Sequence, residues 1–306
     1  MNMHFDAQAA LGFVTAQTAH IERTVNETRY PDIQYPQLIP VDTSAHPFAQ
    51  SVVYYSSDIA GKAGWINGNA DDVPNADVNR SQHQTPVYTA AIGYEYGWEE
   101  LNQAMMLGIS LTADKAQAAR RAAEEFIDGV ALRGDATKGF QGFINNTGIT
   151  PVSAVTGDWA TATPDQILAD VNAALYKVHA DTNTVALADT LLLPPEKLNL
   201  LATKRLTDTG VTLLEFLRRN NTYTAVTGQP LTIRGVLGLE TAGAGNTARM
   251  IAYRRSPEVV KLHIPMPHRF LPVWQAGPLR WDVPGVMRLG GVDIRRPKEV
   301  AYVDGI

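Results

Sequence analysis

The segment RGDATKGFQGFINN (133–146) holds the ingredients of three chemistries: a phosphate cradle, an adhesion tripeptide and the capped end of a helix. A phosphate loop needs glycines leading from a strand into a helix, then a lysine and a hydroxyl residue, so that N–H groups at the helix N-terminus surround the anion. Here the glycines follow a helical pattern and Lys138 precedes Gly139, so order and context are both wrong. Arg133-Gly134-Asp135 ends that helix instead of crowning a loop of an exported chain, and its match to an adhesion motif reads as coincidence. The terminator reading stands, because glycine just past the last helical residue takes the left-handed conformation without steric cost.

Other candidates dissolve in the same way. Gly243-x-Gly245 in TAGAGNTAR (241–249) is a fragment of a dinucleotide fingerprint, but the following ARMIAYRR alternates like a strand, which predicts a hairpin turn. The histidines (His4, His20, His46, His83, His179, His263, His268) show no His-Glu-x-x-His pattern and no acid at ligand spacing. NGNADDVPNADVN (67–79) is rich in oxygen ligands, yet it lacks the sixth-position glycine and closing glutamate of a calcium loop. Glu95, Glu99 and Glu100 could form a glycosidase pair. However, Glu95 ends a strand, while the other two open a helix EELNQAMML, where carboxylates suit the dipole. No Gly-x-Ser-x-Gly elbow is present, and with no cysteine there is no thiolate nucleophile, disulfide or thiolate metal site. The sequence therefore predicts a protein without catalytic, cofactor or metal residues.

Composition agrees with a large folded body. At 306 residues and 45% hydrophobic content, the chain can bury one large core or two interlocked ones. A net charge of −5 supplies no bulk positive field for nucleic acid, so contact with DNA is expected to be weak or local. Neither a signal peptide nor a membrane-spanning run is expected.

The elements that would position any site are uneven along the chain. Residues 1–28 have weak helical character, and YPDIQYPQLIPVDTSAHP (30–47) places Pro31, Pro36, Pro40 and Pro47 among polar residues. Residues 29–50 thus read as an arm laid over a surface, not as a core element. SVVYY (51–55) and TPVYTAAIGYEYGW (85–98) read as strands, the second with Tyr88, Ala90, Ile92, Tyr94, Tyr96 and Trp98 on one face. The polar stretch between them, 56–84, is too long for an idle loop and is expected to be a protruding hairpin.

From 111 to 133 the pattern becomes helical, with Ser110 or Thr112 as cap and Ala119, Ala122, Ala123, Phe126, Ile127 and Val130 as the apolar stripe. Its other face carries Lys115, Arg120, Arg121, Glu124 and Glu125. Thr163 caps a second helix that begins at Pro164 and turns Ile167, Leu168, Val171, Leu175 and Val178 inward. A strand (184–194), two helices and two further strands follow, and the tail from Glu258 is broken into short β segments. Trp65 stands in the polar hairpin, where two readings remain open: an anchor received by another surface, or burial against its own hairpin.

This order of parts resembles the major capsid proteins of tailed double-stranded DNA bacteriophages, which share the Hong Kong 97 type of shell fold. The closest local likeness is residues 99–146. Here a Glu-Leu transition into a helix precedes a spine helix with paired small residues. The pattern G-D-x-x-x-G-x-x-G-[FL]-x-N follows, matched by Gly134, Asp135, Gly139, Gly142, Phe143 and Asn145. The resemblance implies an α+β chain with an N-terminal arm (1–50), an extended β-hairpin loop (51–90) and a peripheral domain (91–150) around the spine helix 111–133. An axial α/β domain (151–255) and a return to the peripheral sheet (256–306) complete it.

It further implies an icosahedral head built of hexamers and pentamers, without enzymatic activity. Lys62, Trp65, Arg80, Arg120, Arg121, Glu124 and Glu125 would meet neighbouring subunits, and Gly134 to Asn145 would be a structural turn. Implied partners are a separate scaffolding protein, a portal, a decoration protein and packaged DNA held weakly, with no membrane; the location is the virion, assembled in the host bacterial cytoplasm. Some relatives crosslink a hairpin lysine to a neighbour's asparagine, and Lys62 lies in that element, but it reads here as an ordinary solvated lysine. The alternatives are a compartment shell of the encapsulin type and, from another class, an α/β hydrolase or carbohydrate-active enzyme.

Overall fold

Four prolines do not keep the arm out of the core. In the computed structural model, which describes residues 32–65, 75–107, 111–206 and 210–306, Tyr35–Leu38 is a single helical turn (α1). Pro36 occupies its first turn, where a missing N–H costs nothing. Tyr35, Leu38 and Ile39 are buried, and the N–H groups of Gln34 and Tyr35 both donate to Asp128 Oδ1, at 2.9 and 2.8 Å. The following strand, β1 (Val41–Asp42), enters a sheet. The expectation that 29–50 lies outside the core is therefore corrected for Tyr35, Leu38 and Ile39. Proline excludes a long regular element but not burial, provided the remaining N–H groups find acceptors.

β2 (Ser51–Ala60) and β3 (Asp77–Pro86) pair antiparallel from Ser51↔Pro86 to Ala60↔Asp77 and form a two-stranded sheet of their own. The expected hairpin is present, with its first strand extending five residues beyond Tyr55 through polar pairs such as Ser56↔Ser81 and Ser57↔Arg80. The expected single strand over 85–98 is divided. Its first residues complete β3, β4 (Tyr88–Ala91) and β5 (Tyr94–Gly97) join different sheets, and Trp98 opens a helix. The break falls at Gly93, where a Cβ would lie 2.3 Å from the Val283 carbonyl oxygen.

α2 (Trp98–Leu107) and α3 (Leu111–Arg133) follow, the latter with the expected bounds. On α3, Ala119, Ala123, Ile127, Val130, Ala131 and Leu132 are buried, whereas Phe126, expected in the stripe, is 45% exposed. Of the two expected caps, Ser110 lies outside the described residues. β6 (Gly134–Asp135) and β7 (Phe140–Gln141) form the short turn after the helix, and β8 (Val152–Ser153) leads on. α4 (Pro164–Asp181) carries the capping box of Thr163 and Gln166. Then come β9 (Thr190–Leu193), shorter than the expected strand, α5 (Pro195–Thr203), α6 (Leu213–Arg219), α7 (Thr222–Thr227), β10 (Thr232–Gly235) and β11 (Arg249–Tyr253). The tail supplies β12 (Val260–His263), β13 (Met266–Phe270), β14 (Trp274–Gly277), β15 (Arg280–Val283), β16 (Gly285–Leu289), β17 (Val292–Ile294) and β18 (Val300–Asp304).

The central sheet runs β10-β9-β11-β18-β8, and two expectations fail on it. β10 and β11 flank β9 instead of pairing, so TAGAGNTAR is a crossing connection and not a hairpin turn. It closes as a single 3-10 turn at Ala244–Asn246, whose Ala244 N–H donates to Asp304 Oδ2 at 2.9 Å. β18 sits between β11 and β8, so the chain end completes this sheet instead of returning wholly to the peripheral one.

Both faces of the sheet are buried. Leu192, Ile251, Tyr253, Val300 and Tyr302 point into one core, with α1, α3 and β12. Leu191, Leu193, Met250, Ala252, Ala301 and Val303 point into the other, with α4, α5 and α6. The alternation is the period-two geometry of a strand with apolar residues on both sides. Smaller sheets β1-β12-β17, β13-β16-β4 and β14-β15-β5 carry the rest.

Candidate assembly surface

The turn after α3 is built for shape. Gly134 takes φ +78°, and a Cβ on it would meet the Phe140 carbonyl oxygen at 2.4 Å; at Gly142 the Leu132 carbonyl oxygen would be 2.2 Å away. Gly139, at φ +72°, faces open space and is selected by backbone angle alone. Asp135 Oδ1 accepts from the Thr137 hydroxyl (2.6 Å) and N–H (2.8 Å), which holds its carboxyl below the ordinary range.

Asn145 fastens the loop to the helix end. Its Oδ1 accepts from Gly142 N–H at 2.9 Å and its Nδ2 donates to the Arg133 carbonyl at 2.8 Å. Phe143 is fully buried edge-on against Tyr253, while Phe140 is half-buried beside Tyr88. Backbone shape at the glycines, burial of Phe143 and the hydrogen bonds of Asp135 and Asn145 hold this turn.

A buried ion pair locks this turn to the central sheet, and the sequence did not reveal it. Arg249 Nε and Nη2 donate to Asp304 Oδ1 and Oδ2 at 2.6 and 2.9 Å, and Nη1 donates to the Ile144 carbonyl at 2.8 Å. The guanidinium also lies 4.6 Å over the Tyr302 ring, whose hydroxyl donates to the Phe143 carbonyl. The partners are 55 residues apart, so no local pattern announces them.

The expected contact residues fall into two groups. Lys62 and Trp65 follow β2 and Arg80 lies on β3, all exposed; Trp65 is fully so, which removes the reading of burial against its own hairpin. At the hairpin root, Tyr54 stacks on His83 at 4.8 Å and the Arg295 guanidinium lies 4.5 Å over Tyr54.

On α3, by contrast, two of the four expected contact residues are turned to their own chain. Glu124 accepts from the Tyr35 hydroxyl at 2.8 Å, and Arg120 lies 5.5 Å over the Phe270 ring. Arg121 and Glu125 pair with each other along the helix at 2.9 Å.

A second exposed set was missed because each member reads as ordinary core. Trp98, Leu271, Val273, Trp274 and Leu279 are all more than a third exposed, and they lie on or beside the sheet β14-β15-β5. Trp98 N–H donates to the Leu279 carbonyl at 2.9 Å, which brings the two side by side. Large apolar residues left at a sheet edge mark an interaction surface. Met105 and Met106 on α2 are exposed as well. Among the described residues no cluster of His, Asp or Glu has the arrangement of a metal site, and no helix is long and apolar enough to cross a membrane.

A family model described as major capsid protein matches residues 61–306. No match to a curated protein sequence was found. Among solved structures, the capsid of the Myoviridae phage XM1 superposes with a TM-score of 0.80 at 18% identity, covering 95% of this chain and 98% of that one. The capsid of an empty GTA particle gives 0.68 at 13%, covering 98% of both chains. A chain of Mycobacterium phage Bobi gives 0.64 at 14%, covering 95% of this chain and 96% of that one. At these identities the likeness is one of fold.

Proposed function

From the premise that the chain belongs to the major capsid protein family, we propose that it is the repeating subunit of an icosahedral phage head enclosing double-stranded DNA. The fold is the α+β Hong Kong 97 type, and the role is structural. Copies meet through the hairpin β2–β3, with Lys62, Trp65 and Arg80, and through the apolar edge of β14-β15-β5.

One observation carries this reading: two strands joined by ten cross-strand pairs stand as their own sheet, and an exposed tryptophan follows the first of them. Ten residues of strand span about 33 Å. A two-stranded hairpin is marginal in water without a supporting surface, so a neighbouring copy is its natural support. Many such contacts, each weak, become strong when the shell closes.

Subunits group as hexamers and pentamers, with 91–150 as the peripheral domain and 151–255, completed by β18, as the axial one. Assembly takes place in the host bacterial cytoplasm on a separate scaffolding protein, with a portal and a decoration protein as further partners. The net charge of −5 suits a container that does not grip its DNA. An encapsulin-type compartment and an enzyme are not favoured.

Removal of residues 58–82 tests the reading. Sedimentation and electron microscopy should find folded monomers or capsomers but no shells, and shells of normal size would overturn it.

A further inference from the structure

His263 is a buried imidazole whose two ring nitrogens have no hydrogen-bond partner among the described residues. It lies on β12, the middle strand of β1-β12-β17, so side chains approach from both flanks. Asp42 Oδ2 of β1 is 3.8 Å from Nδ1, and Asp293 Oδ2 of β17 is 3.7 Å from Nε2. Each carboxylate also meets a cation: Lys261 Nζ is 3.2 Å from Asp42 Oδ2, and Arg295 Nε is 3.1 Å from Asp293 Oδ2.

Asp293 further faces Tyr54 of β2, whose hydroxyl is held in its protonated form by burial and by that carboxylate. Gly290 leaves only 3.0 Å between a Cβ and His263 Cβ, and Val87 lies beside it. Arg288 of β16 turns away to the carbonyls of Pro47 and Val87. A line of groups thus runs from the arm strand, through the sheet, to the hairpin root.

Both carboxylates stay ionised well into acid. The hydroxyl of Ser44 donates to Asp42 and holds its carboxyl far below the ordinary range, against the effect of burial. Burial raises Asp293, but the neighbouring His263 and Arg295 outweigh it and the net direction is down. A neutral imidazole has one N–H donor and one lone pair. Between two anions in a dry site, one of its nitrogens must then aim a lone pair at a carboxylate. An imidazolium offers a donor to each.

We propose that His263 is a protonation-operated clasp: as the imidazolium it draws Asp42 and Asp293 together and holds arm strand and hairpin root against the sheet, and as the neutral ring it loosens both. The clasp lies within one chain and is independent of shell formation. The charged ring is the form that has a donor for each carboxylate, so the clasp is closed with the imidazolium and open with the neutral ring.

Hydrogen exchange of segments 41–44 and 52–56 in the full-length unassembled chain, between about pH 5.5 and about pH 8 and corrected for intrinsic rates, is the test. Protection of both segments should fall roughly tenfold with rising pH, the scale of one charge-assisted hydrogen bond. In His263→Asn it should not change with pH, and in Asp42→Asn the pH dependence should persist only at 52–56. An unchanged wild-type profile in His263→Asn would overturn the clasp. Should that variant fail to fold, nitrogen NMR of the wild-type ring decides: two N–H groups at the acid end support the proposal, and a neutral ring throughout contradicts it.

Discussion

Replacing Trp65 by Ala separates what the hairpin does for its own chain from what it does for a neighbour. The side chain is fully exposed, so its loss removes no packing among the described residues, and the melting temperature of the unassembled protein should not move. If the ring is received by an adjoining copy, about 200 Å² leaves water there. At about 25 cal/mol per Å² this corresponds to about 5 kcal/mol. Immobilisation and the area still covered by alanine reduce the net to the ~2–4 kcal/mol typical of a buried aromatic anchor.

Because 1.4 kcal/mol is a factor of ten, even 2 kcal/mol per contact raises the critical concentration for assembly roughly thirtyfold. The assay is light scattering against protein concentration, with sedimentation of the same samples, and Trp65→Phe should retain part of the effect. An unchanged critical concentration would refute the anchor, and so would a drop in the stability of the free chain, since that would mean the ring is held at home.

Further outcomes follow from the turn and the central sheet. Arg249→Met leaves the buried Asp304 carboxylate with only the Ala244 N–H and the Ile144 carbonyl without its guanidinium donor, which should cost about 3–5 kcal/mol in urea unfolding of the unassembled chain; a loss below 1 kcal/mol would show that the pair is dispensable. Gly142→Ala, which sets a Cβ 2.2 Å from a carbonyl oxygen, should destabilise by at least ~2 kcal/mol, whereas Gly139→Ala, strained in backbone angle only, should cost about 1 kcal/mol. Equal losses would contradict the steric reading. Ser44→Ala removes the main cause that holds the Asp42 carboxyl low. A carboxyl depressed in the folded state contributes stability above its unfolded value and loses it as pH falls through the folded one, so the acid-unfolding midpoint of the variant, followed by circular dichroism, should move to higher pH.

Much of the frame was legible because it is written locally. Gly134 after an apolar stripe bounded α3, and Thr163-Pro164 followed by the stripe from Ile167 to Val178 announced α4, while the Gln166 half of its capping box showed only in the structure. The hairpin was legible as an absence, a polar stretch too long to be idle, but the extent of its strands was not, since polar cross-strand pairs leave no alternation to read.

What escaped the sequence is decided at long range. Tyr35, Leu38 and Ile39 look like surface in a proline-rich arm and become core only because Asp128, more than ninety residues on, satisfies the backbone there. β18 enters the central sheet by pairing with β11, and the Arg249–Asp304 pair is a consequence of that register. The candidate surface divides in the same way. Trp65 stood out because an aromatic in a polar hairpin is locally odd, while Trp98, Trp274 and Leu279 did not, because nothing local distinguishes an exposed apolar residue from a buried one.

Hydroxyl-radical footprinting of free subunits and of purified particles bears most directly on the hairpin as an inter-subunit element. Residues 53–65 and 77–84, Trp65 above all, should be strongly labelled in the free chain and protected in the particle, together with Trp274 and Leu279. Equal labelling of the hairpin in both states would mean that it meets no neighbour, and would contradict the assignment.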